Sequence, residues 1–146
     1  MWKFEHSVMT MAKAETIWNL YSDISTWVEW DKGIVHASLE GAFVAGTRGL
    51  LQPEGQDRLN FELKEVNPLR GFSDVTDIPA AGIQVHFTHH LVETAEGTRV
   101  THEVTITGPN AEHLGPVIGA GMAEGIPHTM EGLVALALER ELRHAV

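Results

Sequence analysis

His89 and His102 are the residues in this sequence best placed to do chemistry. Imidazole titrates near neutral pH, so two rings facing one interior from adjacent strands can share a water, polarise a bound oxygen or move a proton. Ile83, Val85, Phe87, His89 and Leu91 alternate with other residues along one run, and Val100, His102, Val104 and Ile106 do so along the next. A period of two places each set on one face of a strand. If Ala95 and Glu96 form a tight loop and Thr94 pairs with Gly97, His89 falls opposite His102, Phe87 opposite Val104 and Leu91 opposite Val100. The same two rings serve equally well as structural groups, because buried polar atoms need hydrogen-bond partners whether or not they react.

Parity separates the other histidines from this pair. His86 and His90 point away from His89, His6 shares the apolar face of the first strand, and His128 follows Gly125 and Pro127 toward a cavity mouth. Glu62 and Lys64 read as surface charge, whereas an inward Glu65 or Asp74 would give a histidine its acid/base partner. The chain has no cysteine, which removes disulfides, thiolate ligands and a cysteine nucleophile. It also has no HExxH, nucleophile elbow, phosphate-binding glycine loop or dinucleotide fingerprint, so neither a metal nor an organic cofactor is expected.

A formal net charge of -10, from 10 Lys and Arg against 20 Asp and Glu, disfavours a nucleic-acid partner. The first fifteen residues, MWKFEHSVMTMAKAE, interrupt their apolar positions with charge and lack the apolar core of a secretory signal. LVALALE is too short for a membrane span, leaving a cytoplasmic protein as the expectation.

The elements that must hold the histidines follow from changes of period. Trp2 to Thr10 alternates as a strand, Ala14 to Ser22 repeats at helical spacing, and Ile24 to Trp30 suggests a second short helix. Strands are predicted over Ile34–Leu39, Thr47–Gln52, Leu59–Val66, Arg70–Asp77, Ile83–Thr94 and Gly97–Thr107, separated by Gly and Pro as in an antiparallel meander. With Asn110 as its cap, a long helix then carries Leu114, Ile118, Met122, Ile126, Met130, Leu133 and Ala137 on one stripe. Gly119, Gly121, Gly125 and Pro127 weaken its middle and predict a kink near Pro127. At 146 residues and 43% hydrophobic content, one α+β domain over 1–146 is expected, a curved antiparallel sheet of about seven strands closed by the last helix. Phe72, Phe87, Val104, Met122, Ile126 and Met130 are then the cavity-wall candidates beside His89 and His102, while Trp18, Trp27 and Trp30 fasten the short helices.

Several stretches are similar to the START-like, or SRPBCC, superfamily with its Bet v 1-like helix-grip fold, which includes polyketide cyclase and dehydratase-like proteins. Ala12-Lys13-Ala14-Glu15-Thr16-Ile17-Trp18 resembles the opening of its first helix, and Tyr21-Ser22-Asp23-Ile24-Ser25-Thr26-Trp27-Val28-Glu29-Trp30-Asp31 its second-helix signature. Gly46-Thr47, Gly97-Thr98-Arg99-Val100-Thr101 and Gly108-Pro109 resemble the strand and helix openings that follow. The likeness runs from the first strand into residues 130 to 140, with Lys32 where a proline is common after the second-helix aspartate. The resemblance implies a helix-grip fold around a cavity for an apolar or amphipathic molecule, but no single catalytic set. Binding or transport of such a molecule is one expectation. A cyclase or dehydratase using His89 and His102 is another, and a protein-interaction or chaperone-regulatory module a third. Homo-oligomerisation stays open because exposed edges cannot be located from sequence.

Overall fold

The computed structural model describes residues 1–144. Seven strands form one antiparallel sheet: β1 (Trp2–Thr10), β2 (Ile34–Leu39), β3 (Arg48–Pro53), β4 (Leu59–Asn67), β5 (Gly71–Ile78), β6 (Ile83–Thr94) and β7 (Gly97–Thr107). Their spatial order is β1-β7-β6-β5-β4-β3-β2, so the chain meanders from β2 to β7 and β1 pairs with the last strand. Between β1 and β2 lie α1 (Ala14–Ser22), a 3-10 turn at Ile24–Thr26 and α2 (Trp27–Trp30). One long helix, α3 (Ala111–His144), crosses the sheet and contacts β1, β7, α1 and α2.

The β6–β7 register is the one the alternation predicts, with Leu91 opposite Val100, His89 opposite His102 and Phe87 opposite Val104. Pairing continues on both sides, His6 facing His102 across β1–β7 and Phe72 facing His89 across β5–β6. A row of His6, His102, His89 and Phe72 therefore crosses four strands. β5 starts at Gly71, whose φ of 149° and close approach to the His89 carbonyl oxygen leave no room for a Cβ. In β4 the register shifts between Leu63 and Glu65, and both Lys64 and Glu65 are exposed. The bulge overturns the inward alternative for Glu65.

Two apolar clusters fill the space between sheet and helices. One gathers Ile17, Leu20, Tyr21, Trp27, Leu63, Phe72, Met130 and Leu133 beneath α1, α2 and the end of α3. The other gathers Ile83, Val85, Val104, Ile106 and Ala111 beneath the start of α3. Ile126 packs against both.

The α3 helix is one element through Pro116 and Pro127, unbroken across the stretch that sequence marks as weak. Packing accounts for part of its glycine content. A Cβ on Gly119 would strike the Trp2 ring, and one on Gly132 would sit 2.6 Å from the Trp30 carbonyl oxygen. Gly121 instead faces open space, with nothing within 4 Å of an added Cβ. Gly132→Ala should therefore destabilise the fold, since about 1–3 kcal/mol of overpacking outweighs at most ~1 kcal/mol of helix propensity. Gly121→Ala should gain up to about 1 kcal/mol from that propensity alone. Urea unfolding of the two variants checks the opposite signs; equal gains would show that α3 does not press on α2 at Gly132. Asn110 stands at the cap position expected of it, its backbone carbonyl accepting the Leu114 N–H at 2.9 Å, while its side-chain amide donates at 2.8 Å to the Ala81 carbonyl in the turn between β5 and β6.

Candidate functional site

His102 reaches the interior from β7 and meets a side chain from α1. The Tyr21 hydroxyl lies 2.7 Å from His102 Nε2. Burial pushes the Tyr21 phenol well above its usual value of 10.0, so it stays protonated, and with no other acceptor for that proton among the described residues the hydroxyl donates to His102 Nε2. Burial likewise pushes His102 well below 6.5, with His89, His6 and His90 adding like-charge penalties. A neutral His102 that accepts on Nε2 carries its proton on Nδ1.

His89 shows the opposite face of imidazole chemistry. Its Nδ1 lies 3.2 Å from the Phe72 carbonyl oxygen, which can only accept, so Nδ1 holds the proton and Nε2 keeps a lone pair. Burial lowers His89 to about 4, against the smaller opposing effect of that carbonyl. The ring stacks on Phe72 at 4.0 Å and 9° and meets His102 edge-on at 4.6 Å and 78°. Both imidazoles are thus uncharged at neutral pH. Among the described residues, His102 Nδ1 and His89 Nε2 have no hydrogen-bond partner.

These rings border a cavity of about 100 Å³ between the sheet and α3. Trp27, Trp30, Ile34, Leu51, Phe87 and Ile126 form its apolar wall, and Asp31, Asp74, His89, His102 and Thr129 its polar side. Wider clefts of about 600 Å³ lie open on the outer surface, one beside Leu69 and Arg70 and one beside Lys13 and Arg140, and neither touches His89 or His102. Asp74 projects from β5, is only 6% exposed, and makes no hydrogen bond among the described residues. Burial alone raises it to about 8, which keeps the carboxyl mostly protonated at pH 7. Asp31 follows α2; burial raises it too, although its Oδ1 accepts from the Gly33 N–H at 3.0 Å and the Thr129 hydroxyl at 3.4 Å.

Of the residues expected from sequence, Phe87, His89, His102 and Ile126 line this cavity. Phe72 lies behind His89, Val104 and Met130 are fully buried within the core, and Met122 packs on the cluster beneath the start of α3; none of these four lines it. His6 is half-buried beside His102, while His86 bonds Thr107 Oγ1 at 3.0 Å, away from the pair. His90 is exposed, and His128 is exposed with Glu131 at 3.9 Å. Trp27 and Trp30 do fasten their helix, through bonds to the Tyr21 carbonyl (2.9 Å) and Thr26 Oγ1 (3.1 Å), and they also form cavity wall. Sequence reasoning missed Asp31, Thr129 and the role of Tyr21. Thr129 stands three residues after Ile126, the spacing of one helix face. Among the described residues no group of three or more His, Asp and Glu side chains is placed to hold a metal ion, and no helix is long and apolar enough to cross a membrane.

Residues 1–143 match the polyketide cyclase / dehydrase and lipid transport family. The chain belongs to that family. Its helix-grip architecture is shared with protein MLL2253 from Mesorhizobium loti, which is 19% identical with a TM-score of 0.76 over 94% of this chain and 97% of that one. Ara h 8.0201 is similar at 11% identity and TM-score 0.75, over 94% of this chain and 97% of its own. DynU16, a protein in the dynemicin biosynthetic locus, is 16% identical with TM-score 0.70, over 91% of this chain and 46% of DynU16. At these identities the likeness is one of fold. A comparison with curated protein sequences gives no match.

Proposed function

We propose that this family member binds a small apolar or amphipathic molecule between its sheet and α3. The observation that carries the reading is a cavity with six apolar side chains on one side and unpartnered polar groups of Asp74, His89 and His102 on the other. Apolar walls supply affinity and a few convergent polar groups supply orientation. The volume of about 100 Å³ is below the roughly 300 Å³ at which sites for drug-sized ligands begin. It suits a head group or a small ring, and a longer molecule requires α3 to move outward. The family description, which names lipid transport beside cyclases and dehydrases, supports the same reading.

Native mass spectrometry, followed by amide NMR titration with short-chain apolar compounds, tests it. Filling the cavity from α3 with Ile126→Trp should weaken binding by about tenfold or more, because a ligand must then displace a side chain. Equal binding by the filled variant, with shifts confined to the outer surface, would remove the cavity as the site.

A second reading has its own observation. On one cavity, Asp74 is displaced up to about 8 and His89 down to about 4. At pH 7 the carboxyl therefore has a proton to give and the imidazole a lone pair to receive one, the division of roles that acid/base catalysis needs. An acid/base cyclase or dehydratase would use Asp74 as acid and His89 as base. Mass-resolved turnover of poly-β-ketone compounds by the wild type, lost in His89→Ala, distinguishes this reading from carriage.

A further inference from the structure

We infer that the polar end held in this cavity is a positively charged amine, because Asp74 and Asp31 converge on a chamber walled by Trp27, Trp30 and Phe87 whose lining has no lysine or arginine. The inference rests on the cavity being a binding site and narrows what it binds. Asp74 is 6% exposed and unpartnered among the described residues, and a buried carboxyl without a partner is costly unless it stays neutral or meets a cation. Asp31 directs only Oδ1 to Gly33 and Thr129, leaving Oδ2 free of partners among the described residues. His89 Nε2 adds a third acceptor. An ammonium group, a donor with no lone pair, matches these acceptors.

Other head groups fit less well. A carboxylate would meet two carboxyl groups and two imidazoles that burial keeps uncharged, with no cation to receive it. A hydroxyl can bond to His89, His102 or the neutral Asp74 carboxyl, but it forms no ion pair there. The titratable groups around Asp74 are Asp31, His89 and His102; β4 brings Leu63 opposite it, and α3 brings Ile126 and Thr129. None of these supplies a positive charge at neutral pH.

Ion pairing also has a proton signature. At pH 7 the free carboxyl of Asp74 is mostly protonated, while an alkylamine in water is already ammonium. Joining them as a pair releases the Asp74 proton to solvent, nearly one per amine bound.

The test is calorimetry of hexylamine, hexanol and hexanoate with the wild-type protein at pH 7, in phosphate and in MOPS, whose ionisation enthalpies differ and neither of which carries a primary amine. Hexylamine should bind about tenfold or more tightly than hexanol, as a charge-assisted bond exceeds a neutral one, and hexanoate should bind most weakly. Only the amine should release a proton. Asp74→Asn should abolish the release and bring hexylamine and hexanol to similar affinity; the wild-type series decides even without that variant. Hexanol or hexanoate binding as tightly as hexylamine, or amine binding without proton release, overturns the inference and leaves the cavity reading standing. Binding by none of the three overturns both.

Discussion

Replacing Asp74 with asparagine is expected to stabilise the protein by about 4 kcal/mol at pH 7, at ~1.4 kcal/mol per unit of pKa displacement. The carboxyl titrates at about 8 in the fold against 3.8 in the unfolded chain. Between those values the native protein holds a proton that the unfolded chain has released, so stability falls as pH rises through that window. Asparagine has nearly the same shape and no charge to suppress. His89 acts with the opposite sign: below 6.5 the unfolded chain takes up a proton that the native ring refuses until about 4, so stability rises with pH across that interval. His102, also lowered by burial, acts in the same direction as His89. Together these groups place maximum stability near pH 6.5; by pH 8 Asp74 removes about 1.7 kcal/mol, of which the two histidines, still half-protonated in the unfolded chain at 6.5, offset about half. Urea unfolding at pH 5, 6.5 and 8 should show this decline in the wild type and none above 6.5 in Asp74→Asn. A variant less stable than wild type at pH 8 would mean that the carboxyl is ionised and partnered in the fold.

What the sequence revealed of this site divides along a physical line. Alternation along β6 and β7 is local, and the short Ala95–Glu96 loop makes their pairing nearly local as well; His89 and His102 could therefore be set face to face from residue spacing. Asp74 was legible in the same way, since Phe72, Asp74 and Thr76 share one buried parity on β5. Tyr21 was not, because its bond to His102 joins residues 81 positions apart and depends on how α1 docks on the sheet. Nor can hydrophobicity separate a wall from a filler: Phe87 and Val104 are paired on neighbouring strands, yet one borders the cavity and the other is sealed within the core. Around Pro127, local preference argued for a weak middle, but the helix continues to His144 with Met130, Leu133 and Ala137 buried beyond it. Packing of that later stripe outweighs the weak propensity before it.

Tyr21→Ala is expected to cost about 3–5 kcal/mol, the range for truncating a fully buried aromatic side chain. The ring is 0% exposed and stands edge-on to Phe72 at 5.1 Å and to Trp18 at 6.4 Å, with His89 at 5.4 Å and His102 at 5.8 Å, so its removal opens the centre of the larger cluster. Tyr21→Phe keeps that packing and removes only the hydroxyl, leaving the His102 Nε2 acceptor buried without its donor, at a cost of about 1–3 kcal/mol. The two variants thereby separate volume from hydrogen bonding. Nitrogen-15 NMR of the imidazoles adds a measurement that packing loss does not mimic: wild-type His102 should be protonated on Nδ1, whereas the phenylalanine variant should shift population toward Nε2–H once no phenol holds that lone pair. Unchanged stability together with an unchanged tautomer in Tyr21→Phe would show that the hydroxyl does not orient His102. A shifted tautomer would turn the unpartnered His102 nitrogen from donor to acceptor, so one hydroxyl on α1 sets the hydrogen-bonding character of the imidazole that β7 places beside the cavity.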